Sequence, residues 1–231
     1  MKRLVCGAML ALCAASVGWG ADDWMMWNTY SFKLPVIKKK VDLNGIFETR
    51  FRDDMDEFFR YHFYVGPDYY PWKWLTLGIQ YGNIQSGDPG DFKTEHRIMY
   101  FVTPKVKLSD FCLEKLPLGD LNLSVQNRLD QRIRFYADHT CTWRYRFYPK
   151  LSYPVFKRKK LEIAPYVGDA FYFDFTNNIA FNQNRVYSGL TFKLFEYLNL
   201  DFYYMRYAER SGRGGDWTCS NVVGTGVAYN F

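Results

Sequence analysis

The sequence predicts an all-β protein, an antiparallel transmembrane β-barrel of about ten strands. Three observations lead to this class: a terminal segment that alternates apolar and polar residues, hydrophobicity spread along the whole chain, and an unusual aromatic content. Hydrophobic residues make up 48% of the chain and aromatic residues 20%, and no long apolar block follows Asp22. Period-two strands distribute hydrophobicity in this way because one face meets lipid and the other a polar interior. A secreted β-sandwich would also alternate, but it would need fewer outward aromatic side chains.

The first twenty residues have the pattern of a cleaved secretory signal. A positive start, Met1-Lys2-Arg3, precedes the apolar run Leu4 to Val17, and small residues follow it. That run is shorter than the roughly 20 residues that a membrane-spanning helix needs. We therefore expect three parts of the chain: 1–20 as the signal, 21–40 as a periplasmic arm or an extra strand, and 41–231 as the barrel.

The first four strand segments set apolar residues against polar ones. Val41–Arg52 alternates Phe47 and Phe51 with Glu48 and Arg50. The next three segments are Phe59–Val65, Leu75–Tyr81 and 93–102, with Arg60 and His62, Thr76 and Gln80, and Glu95 and Arg97 at their interior positions. A shared period of two along these segments predicts that they are neighbouring strands of one wall.

The next five segments continue the pattern. Leu121–Ile133 is the clearest, with Leu123 and Leu129 on one face and Arg128, Asp130 and Arg132 on the other. The other four are 141–148, with Arg144 and Arg146 inward, Leu161–Phe173, Arg185–Leu194 and Leu198–Tyr207. Helical periodicity is not convincing in any of them, which favours strands throughout.

The terminal segment, Asn221 to Phe231, looks like the closing strand of a bacterial outer-membrane barrel. It alternates Val223, Val227 and Tyr229 with small or polar residues and ends on an aromatic residue. In such proteins a terminal aromatic residue is part of the signal that the barrel-assembly machinery reads. The resemblance implies that Tyr229 and Phe231 form this signal, that the protein lies in the outer membrane after secretion across the inner membrane, and that its partners are outer-membrane lipids and the assembly machinery.

The segment Trp24 to Leu34 would be an eleventh strand. Single-chain bacterial barrels have even strand numbers. We therefore expect this segment to be a periplasmic arm or a strand lining the first hairpin, with a 12-stranded barrel as the alternative.

Charge separates the connections into two groups. With the C-terminus in the periplasm, the outer segments carry mostly acidic residues, and the periplasmic turns carry the runs Lys38-Lys39-Lys40 and Lys157-Arg158-Lys159-Lys160.

The segment 103–120 is long for a periplasmic turn, so it either forms a small lobe or shows that the assignment of the two sides is inverted. Its residues Leu116, Pro117 and Leu118 could contact a periplasmic partner, although ordinary packing beneath the barrel mouth is the preferred interpretation. The net charge of +6 is divided between turns and interior positions, which argues against a nucleic-acid partner. We expect a monomer.

Arginine dominates the predicted interior. The charged residues expected there form a lumen network: Glu48, Arg50, Arg60, Glu95, Arg97, Arg128, Asp130, Arg132, Arg144, Arg146 and Arg185. Because guanidinium groups bridge carboxylates with paired hydrogen bonds, the favoured hypothesis is a network that occludes a narrow lumen. A narrow anion-preferring pore is the alternative.

Three cysteines follow the signal. Cys141 and Cys219 are both expected near outer loops, whereas Cys112 falls in the long periplasmic segment, so a disulfide between Cys141 and Cys219 is the one pairing that the topology allows. Three free thiols remain the other possibility. No ligand spacing typical of zinc occurs, so neither a metal nor a cofactor is expected.

A lipid-modifying enzyme is the third possibility. A serine esterase on a barrel wall needs histidine, serine and an orienting group within hydrogen-bond reach on outward positions. Of His62, His96 and His139, only His96 is expected on the outer wall beside neighbouring strands. Ser124 should face inward and Ser188 lies several strands away, so the sequence favours a protein that is not an enzyme.

The order of several short motifs resembles one family. These motifs are an opening Trp24 to Asn28, Glu48-Thr49-Arg50, Glu95-His96-Arg97, Asn127-Arg128 to Arg132, Trp143-Arg144-Tyr145-Arg146 and Asn184-Arg185. Together they are similar to an uncharacterised group of bacterial outer-membrane barrels defined by a domain of unknown function. The resemblance spans nearly the whole mature chain and implies location and fold, without an activity.

Overall fold

Eleven strands form the wall of a closed β-barrel in the computed structural model, which describes residues 23–88, 90–111, 119–136, 140–175, 180–210 and 215–231. The strands are β1 Asp23–Ile37, β2 Val41–Arg52, β3 Glu57–Trp72, β4 Leu75–Ser86, β5 Lys93–Lys107, β6 Asn122–Arg134, β7 Thr140–Ser152, β8 Phe156–Arg158, β9 Leu161–Asp174, β10 Ala180–Leu194, β11 Leu198–Arg210 and β12 Trp217–Asn230. The short β8 pairs only with the start of β9 and extends the line of β7. The predicted class, an all-β barrel, is confirmed.

The barrel closes where β1 pairs with β12. Neighbouring strands otherwise alternate in direction, so in a ring of eleven the first and last strands run the same way and must pair in parallel. Their register runs from Asp23 beside Ser220 to Lys33 beside Asn230. Across this seam, the Thr225 hydroxyl donates a hydrogen bond of 2.8 Å to Asn28 Oδ1. No strand edge is left open along this seam.

The segment from Trp24 to Leu34 is therefore a wall strand, so of the two alternatives given for it the extra strand is observed and the periplasmic arm is not. The strand number is odd, one more than the predicted ten and one fewer than the alternative of twelve. The physical reason is the parallel seam, which satisfies the backbone groups of both terminal strands without a further partner. The predicted signal, residues 1–20, lies outside the described residues.

The strand connections lie at two rims, which we name by the chain end found there. The C-terminal rim holds Phe231 and the connections β1–β2, β3–β4, β5–β6, β7–β9 and β10–β11. The N-terminal rim holds Asp23 and the remaining connections. Hydrogen bonds from backbone amides fix both ends: Phe231 N donates to the backbone oxygen of Lys33 at 2.9 Å, and Asp54 N donates to the side-chain Oδ1 of Asp23 at 3.0 Å. The basic runs at Lys38–Lys40 and at Lys157–Lys160 thus share one rim, and the acidic turn after β2 lies at the other.

The long segment 103–120 is partly wall. Strand β5 continues to Lys107 and is followed by a single 3₁₀ turn, Leu108–Phe111. Cys112 and the proposed contact residues Leu116, Pro117 and Leu118 lie outside the described residues. Within the ranges that the structure describes, no helix is long and apolar enough to span a bilayer.

Side chains alternate between the exterior and the lumen on every wall strand. At mid-height, Trp27, Met205, Tyr207 and Val222 form a buried apolar cluster inside the barrel. Two glycines make room for interior aromatic rings: the Tyr203 ring covers Gly224, and the Phe101 ring covers Gly78. Interior aromatic rings that pack against the wall therefore fill part of the lumen at the height of the charged residues.

Candidate functional site in the barrel interior

The predicted lumen residues lie on six strands, β2, β3, β5, β6, β7 and β10, and all occupy inward positions in the observed register. Most of them meet in three charged clusters, each centred on one carboxylate. The three central carboxylates are Glu48, Glu95 and Asp130. Of the remaining members, Arg60, Arg146 and Arg185 lie beside these clusters.

Glu95 on β5 is the centre of the first cluster. Its carboxylate accepts hydrogen bonds from Arg97 Nε at 3.0 Å, from Arg132 Nη2 at 2.8 Å and from Arg134 Nε at 3.1 Å. Arg132 also lies 3.6 Å from Asp174. Arg134 was missed by the sequence analysis because the predicted strand ended at Ile133, one residue earlier.

Asp130 on β6 is the centre of the second cluster and is completely buried, with 0% of its surface exposed. Arg128 Nε lies 2.7 Å from Asp130 Oδ1, and Arg144 Nη2 donates to Asp130 Oδ2 at 3.2 Å. Arg97 Nη1 approaches the same carboxylate at 3.7 Å. Arg97 therefore links the two clusters into one continuous network across β5, β6 and β7.

Glu48 on β2 is the centre of the third cluster. Arg50 Nε donates to Glu48 Oε1 at 2.5 Å, and the Nδ1 atom of buried His62 lies 3.7 Å from the same oxygen. His62 Nδ1 also hydrogen-bonds the Tyr64 hydroxyl at 2.9 Å. His62 is thus held inside the lumen by polar neighbours, away from the outer wall where an esterase would need it.

Aromatic rings also contact the lumen arginines, both one that a carboxylate binds and one that no carboxylate among the described residues reaches. The Arg50 guanidinium lies 3.4 Å from the centre of the Trp27 ring, and Arg185 lies 4.9 Å from that ring and 4.7 Å from Tyr172. A guanidinium over an aromatic face is stabilised by the quadrupole of the ring. Trp27 was not among the predicted interior residues, because its segment was expected to be either a periplasmic arm or an extra strand. The alternation of residues along β1 could have identified it.

Arginines face one another directly across three pairs of neighbouring strands. The opposed pairs are Arg50 with Arg60, Arg97 with Arg132, and Arg128 with Arg146. Like charges in this position are destabilising unless a counter-charge is near. Among the described residues, no carboxylate lies within 4 Å of the guanidinium groups of Arg60, Arg146 or Arg185, so the network carries a surplus of positive charge.

Buried side chains lie on one side of a cavity in the lumen. From mid-height towards the N-terminal rim, buried side chains such as Met99, Asp130, Tyr172 and Met205 fill the interior. Towards the C-terminal rim lies a cavity of about 440 Å³, which we call the cup. Its walls combine amides, charged groups and rings, with Asn44, Asp68, Gln80, Gln126, Arg128 and Arg146 among them.

The expected disulfide is wrong in this structure. Cys141 begins β7 and Cys219 lies on β12, and no bond joins them. Both residues lie near the N-terminal rim, as expected, but β9, β10 and β11 separate their strands. Four strand spacings correspond to roughly 19 Å of sheet, far beyond the Cα separation that a disulfide spans.

The residues considered for esterase chemistry do not converge. His96 faces outward and contacts the Tyr81 hydroxyl and the Phe135 ring. Ser124 faces the lumen, and Ser188 lies on β10, four strands from β5. His139 lies outside the described residues. Within the described part of the chain, no three His, Cys, Asp or Glu side chains come together as a metal site would require.

Comparison with known proteins agrees with the uncharacterised family that the motif order suggested. No curated protein matches the chain. A family model described as "Protein of unknown function (DUF2490)" matches residues 24–218, which include the charged clusters and nearly all of the barrel wall. The chain therefore belongs to the DUF2490 family.

Proposed function

We propose that this protein is an integral β-barrel of the bacterial outer membrane with a structural or anchoring role, and that its charged network occludes the lumen. The observation that carries this proposal is the outer surface. Ten of the eleven wall strands keep a large apolar or aromatic side chain exposed: Tyr30, Phe47, Phe63, Ile79, Tyr100, Leu129, Phe147, Leu190, Phe202 and Val227. A continuous apolar exterior of this kind is unfavourable in water and suits a hydrocarbon layer.

Aromatic contacts at the two rims support the same location. At the C-terminal rim, Trp72 stacks on Trp74 with 5.3 Å between ring centres, and Tyr229 meets Phe231 at 4.7 Å. Towards the N-terminal rim, Trp217 packs against a neighbouring ring at 5.3 Å. Aromatic girdles at both interfaces are characteristic of membrane barrels, because amphipathic rings favour the depth of the headgroups.

Polar side chains on the outer wall bond to one another. Lipid offers no hydrogen-bonding partners, so an outward polar group in a membrane barrel needs a neighbour on the wall. The pairs are Thr225 with Asn28 at 2.8 Å, Tyr145 with Asn127 at 2.6 Å, Asn184 with Asp169 at 2.6 Å, and Tyr204 with Asn221 at 2.6 Å. These hydrogen bonds lower the free-energy cost of placing the polar side chains of the outer wall in a bilayer.

The filled interior favours a structural role over transport or catalysis. Side chains can occupy the whole cross-section of barrels of about eight strands, and in this wider barrel large buried side chains such as Tyr172 and Met205 occupy part of it. The charged clusters link β2 with β3, and β5 with β6 and β7, at mid-height, as a rigid plug would. We propose no enzymatic step. The partners that we propose are outer-membrane lipids and the assembly machinery, with a periplasmic partner at 103–120 as a further possibility, and we expect a monomer.

A narrow anion-preferring pore is the second candidate. The surplus of guanidinium charge at Arg60, Arg146 and Arg185 favours it, because fixed positive charge in a constriction selects anions. In this case the side chains at mid-height would have to move to open a path.

Location is tested first, by expressing the full chain in a Gram-negative host and separating the membranes by density. We expect it in the outer-membrane fraction, with a folded form that migrates faster than the boiled form on a denaturing gel. Recovery of a folded form in the soluble fraction would overturn the proposal.

Conductance of the purified barrel in planar bilayers separates the two candidates. A plug predicts no discrete current steps under anion or cation gradients. Anion-selective steps that shrink in Arg144→Ala and Arg146→Ala would instead establish the pore and exclude the occluded lumen.

A further inference from the structure

The cup at the C-terminal rim contains a pair of opposed arginines. A charged network that only occludes the lumen does not need this pair. Arg128 and Arg146 both line this cavity, and they lie directly opposite each other on β6 and β7. Two guanidinium groups in this relationship repel each other unless an anion lies near them. For Arg128 that anion is Asp130, at 2.7 Å.

Arg146 has no carboxylate within 4 Å among the described residues, and the charge of Asp130 acts on it only from a greater distance. Among the described residues its contacts are the Tyr172 hydroxyl, 3.5 Å from Nη1, and the rings of Tyr148 and Tyr172 at 5.5 and 5.9 Å. Its Nε is shielded from solvent and has no hydrogen-bond partner there. A buried donor left unsatisfied costs free energy, and a charged donor costs more. Because Arg146 also lines the cup, a negatively charged acceptor for its guanidinium group could come from a molecule in that cavity.

Gln126 adds a second unsatisfied group to the same wall. It lies on β6 two residues before Arg128, on the same face, and its Oε1 is shielded without a partner among the described residues. Because the two ends of an amide are interchangeable by rotation, this side chain can offer either a donor or an acceptor to a molecule in the cup.

The other carboxylates of the cup do not supply this acceptor for Arg146. Glu48 is bonded to Arg50 at 2.5 Å. Asp68 lies on β3, and the strand register places Gly78 and Phe101 between it and Arg128. It therefore lies on a different part of the wall from Arg146. The cavity volume of about 440 Å³ falls in the range of small-molecule sites.

We propose that the cup binds a small soluble oxyanion, a phosphate or carboxylate group, held by Arg146 with the help of Gln126. Oxyanion binding goes beyond the structural role proposed above. It does not depend on that role, because the cup is formed by the barrel interior alone. Arginine suits such a ligand because its planar fork matches the geometry of phosphate and carboxylate oxygens. Binding in the cup would not require the lumen to conduct ions.

The test is calorimetric titration of the purified folded chain in detergent with inorganic phosphate and with acetate, at ionic strength held constant with chloride. We expect saturable binding of at least one probe with one site per chain. Arg146→Gln should weaken it about tenfold or more, because a charge-assisted hydrogen bond is removed. The matched control is Lys193→Gln, which removes one positive charge at the C-terminal rim outside the cup, where Lys193 pairs with Glu162 at 2.5 Å; it should bind as the unaltered chain does.

Two further variants keep the proposal testable if Arg146→Gln does not fold. Arg146→Lys keeps the charge without the planar fork, and Gln126→Leu removes the amide; each should weaken binding by less than Arg146→Gln. Absence of saturable binding for both probes would overturn the proposal. Equal losses in Lys193→Gln and in the cup variants would also overturn it, since they would reveal unspecific attraction to a basic rim.

Discussion

The guanidinium carbon of Arg50 lies 3.4 Å from the centre of the Trp27 ring, with Trp27 on β1 and Arg50 directly beside it on β2. Arg185 lies near the same ring, 4.9 Å from its centre. Trp27 thus connects the charged clusters to the apolar cluster inside the barrel. It also anchors β1, the strand that closes the wall, to the interior.

Replacement of Trp27 tests this connection. Trp27 is 2% exposed, so Trp27→Ala leaves a large cavity and removes the ring under two arginines. We expect a loss of about 3–5 kcal/mol in the free energy of unfolding, measured by urea titration in detergent. The control is Trp24→Ala, on the outer face of the same strand and 39% exposed, which should cost about 1 kcal/mol or less. Equal costs for both variants would contradict the interior role of Trp27.

Asp130 should be the most sensitive carboxylate of the lumen. It is completely buried among Arg97, Arg128 and Arg144, so Asp130→Asn leaves several guanidinium groups without their counter-charge. We expect the free energy of unfolding to fall by about 3–5 kcal/mol. Asp120→Asn is the control: it removes a carboxylate paired with Lys107 at 2.8 Å near the C-terminal rim, where both side chains are exposed, water screens the pair and the cost should be about 1 kcal/mol or less. Similar unfolding curves for the two variants would show that the Asp130 cluster is not a stabilising centre.

Close packing of Tyr203 on Gly224 predicts an effect of a single methyl group. A Cβ atom at residue 224 would overlap the Tyr203 ring, so Gly224→Ala must displace an interior aromatic side chain. Overpacking of this kind typically costs about 1–3 kcal/mol. Gly226→Ala, on the same strand and face, would meet Asp201 Cβ at 3.2 Å and should cost less. The two are compared by the urea midpoint, and the reverse order would refute the packing argument.

The parallel seam can be tested by cross-linking. With the native cysteines changed to serine, Asn28→Cys and Thr225→Cys place two thiols on residues that lie opposite each other in the β1–β12 register. We expect a disulfide to form under mild oxidation and to alter gel migration of the unfolded chain. The offset pair Tyr30→Cys with Thr225→Cys should remain reduced. Cross-linking of the offset pair alone would mean that the register, or the eleven-strand closure, is incorrect.

The alternation of residues was sufficient to predict the wall and the two faces of its strands. Because side chains on a strand point to opposite sides in turn, Glu95 and Arg97, or Arg128 and Asp130, had to share one face once a strand was recognised. The barrel class and nine of the predicted strand positions after residue 40, together with the terminal strand, follow from this local rule. The strand lengths do not follow from this rule. Strand β5 extends to Lys107 and β6 to Arg134, because the backbone pairing continues beyond the residues that show the apolar alternation.

The sequence by itself determined that this chain forms a barrel with arginines inside, because that information lies in neighbouring residues. Only the tertiary structure decided which partners meet around the ring: that β1 closes the wall, that Arg97 joins Glu95 to Asp130, that Arg146 has no carboxylate beside it in the described residues, and that Cys141 and Cys219 lie on separate strands. These relationships depend on strand number, register and closure. Strand number, register and closure are each set by hydrogen bonding between segments distant in sequence. The alternation of residues within one segment cannot predict them.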